Sequence, residues 1–269
     1  MYNFTYHQAS GLNQAADMLG RFEEAKLIAG GQTLLPTMKL RLASPANLID
    51  LNRIDGLAGI ELNGTNLVIG AMTRHADVAD SAVVRQSIPA LAALAHMIGD
   101  PAVRHRGTIG GSVVHADPAS DLPATLLALD ATLVAQGGDG SREIPIGEFF
   151  QGFLETALEP DELLTEIRVP KPLTGGWSFQ KFTQRAIDWA IVGCAVTDGR
   201  VALINMAGTP MRAAAVETAL ADGAPPADAA TRAAEGTSAA SDIRATREYR
   251  EHLARVLVSR ALAEAGART

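Results

Sequence analysis

Near the N-terminus the apolar and polar positions of Met1-Tyr2-Asn3-Phe4-Thr5-Tyr6 alternate, which predicts a short strand. Ser10 then predicts an N-cap for a helix over residues 12–19, whose apolar residues recur at helical spacing. Residues 26–29 predict a second strand, and Gly30-Gly31 a loop. Pro36 opens a short helix carrying Met38, Leu40 and Leu42, and Leu48-Ile49-Asp50-Leu51 predicts a third strand. This βαββ pattern makes a small lobe that ends near Asn52-Arg53.

From Leu57 onward the pattern changes to hairpins. Gly59-Ile60-Glu61-Leu62 and Leu67-Val68-Ile69-Gly70 flank an Asn63-Gly64 turn, a strong hairpin signal. Thr73 predicts the cap of a helix over residues 75–80, and residues 89–98 form an apolar helix. A glycine-rich segment follows, and then an apolar helix-like run from residue 124. Residues 131–135 and 142–145 predict a second hairpin across Gly137-Gly138-Asp139-Gly140, and residues 162–170 predict a strand ended by Pro170. Lys171-Pro172-Leu173-Thr174-Gly175-Gly176 reads as a linker. Beyond it, strands are expected at residues 177–182, 191–197 and 201–206, with Asp198-Gly199 as a turn, and helices at residues 211–220 and 246–265. The last helix carries Leu253, Val256, Leu257 and Ala261 on one stripe, made to pack on the small sheet or on a partner. The fold class is therefore α+β, with a two-lobed first domain (residues 1–171, lobes about 1–53 and 54–171) and a small α/β second domain (172–269).

Composition narrows the function. The 269 residues suffice for a substantial core, and 47% hydrophobic with 20% charged residues describes an ordinary globular protein. A net charge of −7 gives no basic footprint for nucleic acid. No apolar run approaches the ~18–20 residues of a membrane span, and the first residues lack a signal-peptide pattern, so the cytoplasm is expected. The single Cys194 lies in an apolar run and reads as a buried, inert thiol. It excludes an internal disulfide and an all-cysteine iron–sulfur site in this chain. The six histidines show neither an H-x-x-x-H pair nor H-E-x-x-H, so no metal site is expected.

The chemistry concentrates in two glycine pairs. Leu27-Ile28-Ala29-Gly30-Gly31-Gln32-Thr33-Leu34 and Thr108-Ile109-Gly110-Gly111-Ser112 share a grammar of apolar residues, two glycines and hydroxyls. Paired glycines let backbone approach a ligand closely and aim successive N–H groups at an anion. Two such loops suit a long ligand with a central pyrophosphate. Neither forms G-x-G-x-x-G after a strand, and there is no G-x-x-x-x-G-K-[ST], which disfavours Rossmann and P-loop sites. Asp117 and Asp121 can accept hydrogen bonds from sugar hydroxyls or ring N–H groups, or Asp121 caps the apolar helix. Arg104, His105 and Arg106 either meet phosphate or are solvated loop charge.

These two segments, with Met38-Lys39-Leu40-Arg41, Asp50-Leu51-Asn52-Arg53-Ile54, residues 116–123, Lys181-Phe182, Arg185-Ala186-Ile187-Asp188-Trp189-Ala190 and Asp242-Ile243-Arg244-Ala245, resemble the FAD-binding medium subunits of the molybdenum hydroxylases. That is the family of the carbon monoxide dehydrogenase medium subunit and the flavin domain of xanthine dehydrogenase. The resemblance implies a first domain of the vanillyl-alcohol oxidase or PCMH type and a C-terminal domain of the carbon monoxide dehydrogenase flavoprotein type. It implies that residues 27–34 and 108–112 form two FAD loops, the first with its N–H groups on the pyrophosphate and the second with Thr108 near the pyrophosphate or the flavin. It also implies that Asp121 meets the ribose or adenine end, Leu164 contacts the flavin or adenine, and Lys181 lies near the flavin's polar edge. Ser112 stands where many relatives have Asn. For Trp189 core packing is the favoured reading, and Asp188 is a helix cap or a flavin-side contact.

No catalytic triad or paired catalytic carboxylates emerge, which agrees with a protein that binds and tunes a redox cofactor. By resemblance, a large subunit carries molybdenum–pterin, and a small subunit with two [2Fe–2S] clusters feeds electrons to FAD here, which passes them to an external acceptor. The assembly implied is a heterotrimer, doubled to a dimer of trimers. Two alternatives are a free-standing FAD oxidase or dehydrogenase of the same fold, and a nucleotide-binding assembly subunit without redox function. If the second loop grips FAD, replacing Gly110 and Gly111 with Val is expected to block flavin retention and leave the fold largely intact.

Overall fold

A computed structural model describes residues 1–171 and 175–268. The first lobe runs β1 (Thr5–Gln8), α1 (Leu12–Arg21), β2 (Ala25–Ile28), α2 (Leu34–Lys39) and β3 (Asn47–Asp50). Its sheet is parallel with order β1-β3-β2, so β3 lies between the other two and reaches both. The first strand starts later than the alternation of residues 1–6 implies, and Tyr2, Phe4 and Tyr6 are exposed. Gly11 rather than Ser10 is the N-cap of α1; Gln14 Oε1 reaches back to accept from the Ser10 N–H and hydroxyl. α2 already begins at Leu34, ahead of Pro36.

The second lobe begins with β4 (Ile60–Asn63) and β5 (Asn66–Gly70), joined at Gly64, whose φ of +57° suits glycine. There follow α3 (His75–Asp80), α4 (Ala82–Ser87), α5 (Pro89–His96), α6 (Pro101–Arg104), α7 (Ile109–His115) and α8 (Asp121–Ala128). Thr73 does not cap α3, whose N-cap is Arg74; its hydroxyl bonds to the Gly59 backbone instead. β6 (Thr132–Gly137) and β7 (Gly140–Pro145) make the second hairpin. α9 (Ile146–Phe149), the small pair β8 (Phe150–Gly152) and β9 (Glu155–Thr156), and β10 (Leu163–Pro170) complete the lobe. β10 closes an antiparallel sheet of order β4-β5-β10-β6-β7. Leu67, Ile69, Leu133, Ala135, Ile167 and Val169 are buried in its core face at period-two spacing.

The third stretch forms an antiparallel sheet β11 (Trp177–Phe182), β12 (Val192–Thr197), β13 (Arg200–Ile204) and β14 (Met211–Arg212), followed by α10 (Ala214–Ala221), α11 (Pro226–Ala230) and α12 (Arg247–Gly266). Met211 and Arg212, expected to start a helix, pair instead with Leu203 and Ala202. The linker expected at residues 171–176 includes residues 172–174, which lie outside the described residues.

Every residue of β12 is buried, because the strand is covered on both faces. Val192, Cys194 and Val196 pack into the core beneath α12, while Ala195 joins the core of the second lobe. α12 supplies Leu253, Ala254, Leu257, Val258 and Ala261 at i, i+3 and i+4 spacing, and Val256 is half-buried. On the other face lies α8, mostly apolar and buried at every residue. Polar contacts clasp the domains around α8, among them the following. Thr197 Oγ1 donates to Ala128 O at 2.8 Å, Asn205 N to Pro118 O at 2.8 Å, and Arg200 pairs with Asp130 at 2.7 Å.

Candidate cofactor site

The two glycine segments meet. A Cβ built on Gly30 would lie 2.2 Å from Arg106 O and 2.8 Å from Gly107 Cα, so only glycine lets the loops touch. Gly31 adopts φ +71°, the left-handed region that glycine enters without cost. The first loop leaves β2 at Ile28 and turns into α2 with Thr33 at the N-cap position. Among the described residues, none of the N–H groups from Gly30 to Thr33 has an acceptor within the chain. Gln32 Nε2 folds back toward Gly30 O at 3.4 Å.

The second segment differs in kind. It is the first turn of α7, with Thr108 as N-cap accepting from Gly111 N at 3.1 Å. Ile109 N donates to Thr73 O, Gly110 N to Ala71 O, and Ser112 N to Thr108 O. Its N–H groups are therefore committed internally, whereas those of the first loop are free. The segment contributes shape and hydroxyls; Ser112 Oγ lies 2.9 Å from Ser120 Oγ. Gly110 faces the chain interior, since a Cβ there would meet Ala71 Cβ and O at 2.6 Å. The expectation that Val at Gly110 spares the fold is thus overturned by the packing of α7 against residue 71.

Asp121 and Lys181 stand together. Lys181 Nζ donates to Asp121 Oδ2 at 2.8 Å, with side chains only 7% and 6% exposed. Ser120, not Asp121, occupies the N-cap position of α8. Burial pushes the Asp121 carboxyl up, and the Lys181 ammonium opposes it. Asp121 Oδ1 has no partner, so one buried acceptor is left for a donor from outside the chain. The two residues expected at the cofactor are thus in direct contact with each other. Lys181 comes from β11, so the second domain completes this part of the site. Leu164 is buried in the sheet core, where β10 bulges against β6.

Other expectations fall elsewhere. Arg104 is not simply solvated loop charge: its Nη1 donates to Ile98 O and Gly99 O at 3.0 Å. Asp117 Oδ1 accepts from Ala119 N, and its other oxygen lies 3.9 Å from His115 Nε2. Asp188 sits in a turn, not at a helix end. Trp189, expected in the core, is 48% exposed, with exposed Ile187 beside it. Both belong to the loop between β11 and β12, which Ile191 N closes onto Phe182 O. Hydropathy alone could not find this, because it does not tell a large ring in the core from one held in a surface loop. Sequence reasoning also missed His75, buried against Gly107, its imidazole pushed down to about 4 by burial and by Arg104. Cys194 is buried, as expected, and burial pushes its thiol up to about 12. No group of metal-ligating side chains occurs among the described residues. No helix among them is long and apolar enough to cross a membrane.

Comparison with known proteins identifies the family of the chain. The family described as "FAD binding domain in molybdopterin dehydrogenase" matches residues 2–172, and "CO dehydrogenase flavoprotein C-terminal domain" matches residues 177–265. The carbon monoxide dehydrogenase medium chain of Hydrogenophaga pseudoflava is 41% identical, with 98% of each chain covered. The nicotine 6-hydroxylase medium subunit of Paenarthrobacter nicotinovorans is 36% identical, again with 98% of each covered. The solved carbon monoxide dehydrogenase of Hydrogenophaga pseudoflava superposes with a TM-score of 0.96 at 42% identity, covering 99% of this chain and 98% of that one. Quinoline 2-oxidoreductase from Pseudomonas putida 86 gives a TM-score of 0.93 at 30% identity, with 99% and 98% covered. The glycine loops, the buried acid–lysine pair and the α8-clasped second domain thus belong to an FAD-binding domain joined to a flavoprotein C-terminal domain, and the chain is a member of the family of FAD-binding medium subunits of molybdenum hydroxylases.

Proposed function

We propose that this chain is the electron-transfer subunit of a molybdenum hydroxylase complex, passing electrons from the [2Fe–2S] clusters of a small partner subunit to an external acceptor. A large molybdenum–pterin subunit would perform the substrate oxidation. The observation that carries the reading is the abutting pair of glycine loops, one of which presents four N–H groups without a partner in the chain, together with the buried Asp121 oxygen that lacks a donor.

These features fit FAD. Its pyrophosphate needs convergent N–H donors without a competing carboxylate, and residues 30–33 supply them with Gln32 and Thr33 side chains beside. Thr108, Ile109, Gly110, Gly111 and Ser112 form the opposite wall, and Gly111 keeps that wall thin. Asp121 Oδ1 accepts from a donor on the cofactor, and the Lys181 ammonium, bonded to Oδ2, opposes the burial that pushes the carboxyl up. Leu27, Ile28, Ala29 and Leu34 frame the first loop, and Leu164 backs the site from the sheet core. The exposed face of Trp189, in the loop that Lys181's strand feeds, is suited to stack on a flat ring. When bound, FAD accepts electrons singly and releases them in pairs. The chain's part is to bind, orient and shield it, which explains why no nucleophile–base pair accompanies the site. We place the assembly in the cytoplasm as a dimer of heterotrimers, in keeping with a lone reduced cysteine.

A visible spectrum of the chain purified gently from its host tests this. Flavin bands with co-purifying iron–sulfur absorbance and two further polypeptides are expected. A flavin-bearing isolated chain that turns over an added alcohol would favour the free-standing enzyme. A colourless protein that takes up no FAD would overturn the proposal.

A further inference from the structure

A chain of hydrogen bonds starts outside both glycine loops and ends on the first. Tyr6 on β1 donates its hydroxyl to Asp50 Oδ2 at 2.5 Å. Asp50, the last residue of β3, accepts with Oδ1 from both the backbone N–H of Asn52 at 2.8 Å and its side-chain amide at 2.6 Å. The same amide nitrogen donates its second hydrogen to Ala29 O at 3.0 Å, one residue past the end of β2. The strand order β1-β3-β2 makes this possible, because only the central strand can present a residue to both neighbours. Burial alone would raise the Asp50 carboxyl, but the donors from Tyr6 and Asn52 outweigh it and hold it low.

The endpoint has a consequence for the loop. Ala29 O and the N–H of Gly30 belong to one planar trans peptide and point in opposite directions. Fixing the carbonyl therefore fixes where the Gly30 N–H aims. Glycine on one side of that peptide would otherwise leave its rotation free. Ala29 is half-buried and Gly30 buried, whereas Asn52 itself is exposed, so the contact is made from the surface onto the edge of the loop. Its distinctive effect is to preorganise the first of the four unpaired donors.

We propose that Asn52, held by Asp50 and Tyr6, is a positioning residue for the cofactor: it orients the Ala29–Gly30 peptide so that, before FAD arrives, the Gly30 N–H is already aimed at the place the pyrophosphate takes. The inference rests on the reading of residues 30–33 as the pyrophosphate site. Preorganised donors gain affinity because ordering is not charged to binding.

The test measures FAD and ADP affinity by titration of the full chain stripped of flavin, alongside its Tm. Asn52→Ala is expected to weaken FAD about tenfold and ADP by the same factor, the loss of one well-aimed hydrogen bond. Its Tm stays within about a degree, since the side chain is exposed. Tyr6→Phe, which removes only an exposed hydroxyl, is expected to weaken both ligands about threefold. Thr33→Glu serves as the control on the loop itself, because a carboxylate among the donors repels pyrophosphate and abolishes retention. If Thr33→Glu loses FAD while Asn52→Ala and Tyr6→Phe bind as the wild type does, the positioning role is wrong and the loop assignment stands. If all three retain wild-type affinity, the loop assignment falls with it. Weakening of FAD without weakening of ADP also overturns the role. Should Asn52→Ala fail to fold, Tyr6→Phe decides alone.

Discussion

Replacing Lys181 with Met probes the pair that joins the two domains. Both side chains are nearly inaccessible, Lys181 Nζ lies 2.8 Å from Asp121 Oδ2, and Oδ1 already lacks a partner. The variant keeps the volume of the side chain and leaves a buried carboxylate with no cation. Breaking one side of a buried pair costs about 3–5 kcal/mol, which for a chain of this size lowers Tm by roughly 10 °C. The pH dependence gives the argument its edge. Burial raises the Asp121 carboxyl and Lys181 opposes that rise, so its removal lifts the folded-state pKa further. A carboxyl with a raised folded pKa binds more protons folded than unfolded between the two values, and stability falls as pH rises through that window. The deficit of Lys181→Met is therefore smallest at and below the ordinary carboxylate range and grows toward neutrality. Adding Asp121→Asn removes the charge and recovers most of the loss at pH 8. Thermal unfolding of the full chain at pH 5 and pH 8, for wild type, single and double variants, measures all of this. A deficit independent of pH, or a double variant as unstable as the single one at pH 8, would refute the buried charge as its cause.

Three further outcomes are expected. Gly110→Val drives a branched side chain into Ala71 and yields aggregated or unfolded protein by size-exclusion chromatography, whereas Gly111→Ala presses only on the Thr108 hydroxyl, remains folded and loses about 1 kcal/mol in chemical denaturation. Titration with FAD quenches the intrinsic fluorescence of the wild type, and Trp189→Phe removes most of that quenching; an unchanged response places the indole away from the flavin. Cys194 reacts with a thiol-specific disulfide reagent only after unfolding in guanidinium, because its buried thiol is pushed up to about 12 and stays protonated; rapid reaction of the native chain contradicts this.

Much of the architecture is legible in local pattern. Asn63-Gly64 marks a hairpin because its turn requires a positive φ, and Thr246 caps the last helix through the Tyr249 N–H. Short-range rules misplace Ser10 and Thr73, since each hydroxyl finds another partner than the expected helix N–H: Gln14 for Ser10, and Gly59 across a turn for Thr73. The helix expected to begin at Met211 starts only at Ala214, because a free sheet edge at β13 captures residues 211–212 first. Trp189 defeats the hydropathy rule from the opposite direction, as a large apolar side chain held in a loop at the surface.

The sequence by itself determined where the glycine pairs lie, which runs alternate and which recur every three to four residues, and the absence of metal-ligand and triad spacings, because all of these are properties of neighbours along the chain. It also carried the family, since Gly30-Gly31 and Gly110-Gly111 keep recognisable contexts. Only the tertiary structure decided that the two glycine segments play unequal parts. Residues 30–33 keep free N–H groups, while those of residues 109–112 are consumed by residues 71, 73 and 108. Only it brought Lys181 onto Asp121, sixty positions away in the chain, and placed Ala29 O within reach of Asn52. Whether a donor is spent or available depends on what the fold sets opposite it, and no local pattern encodes that.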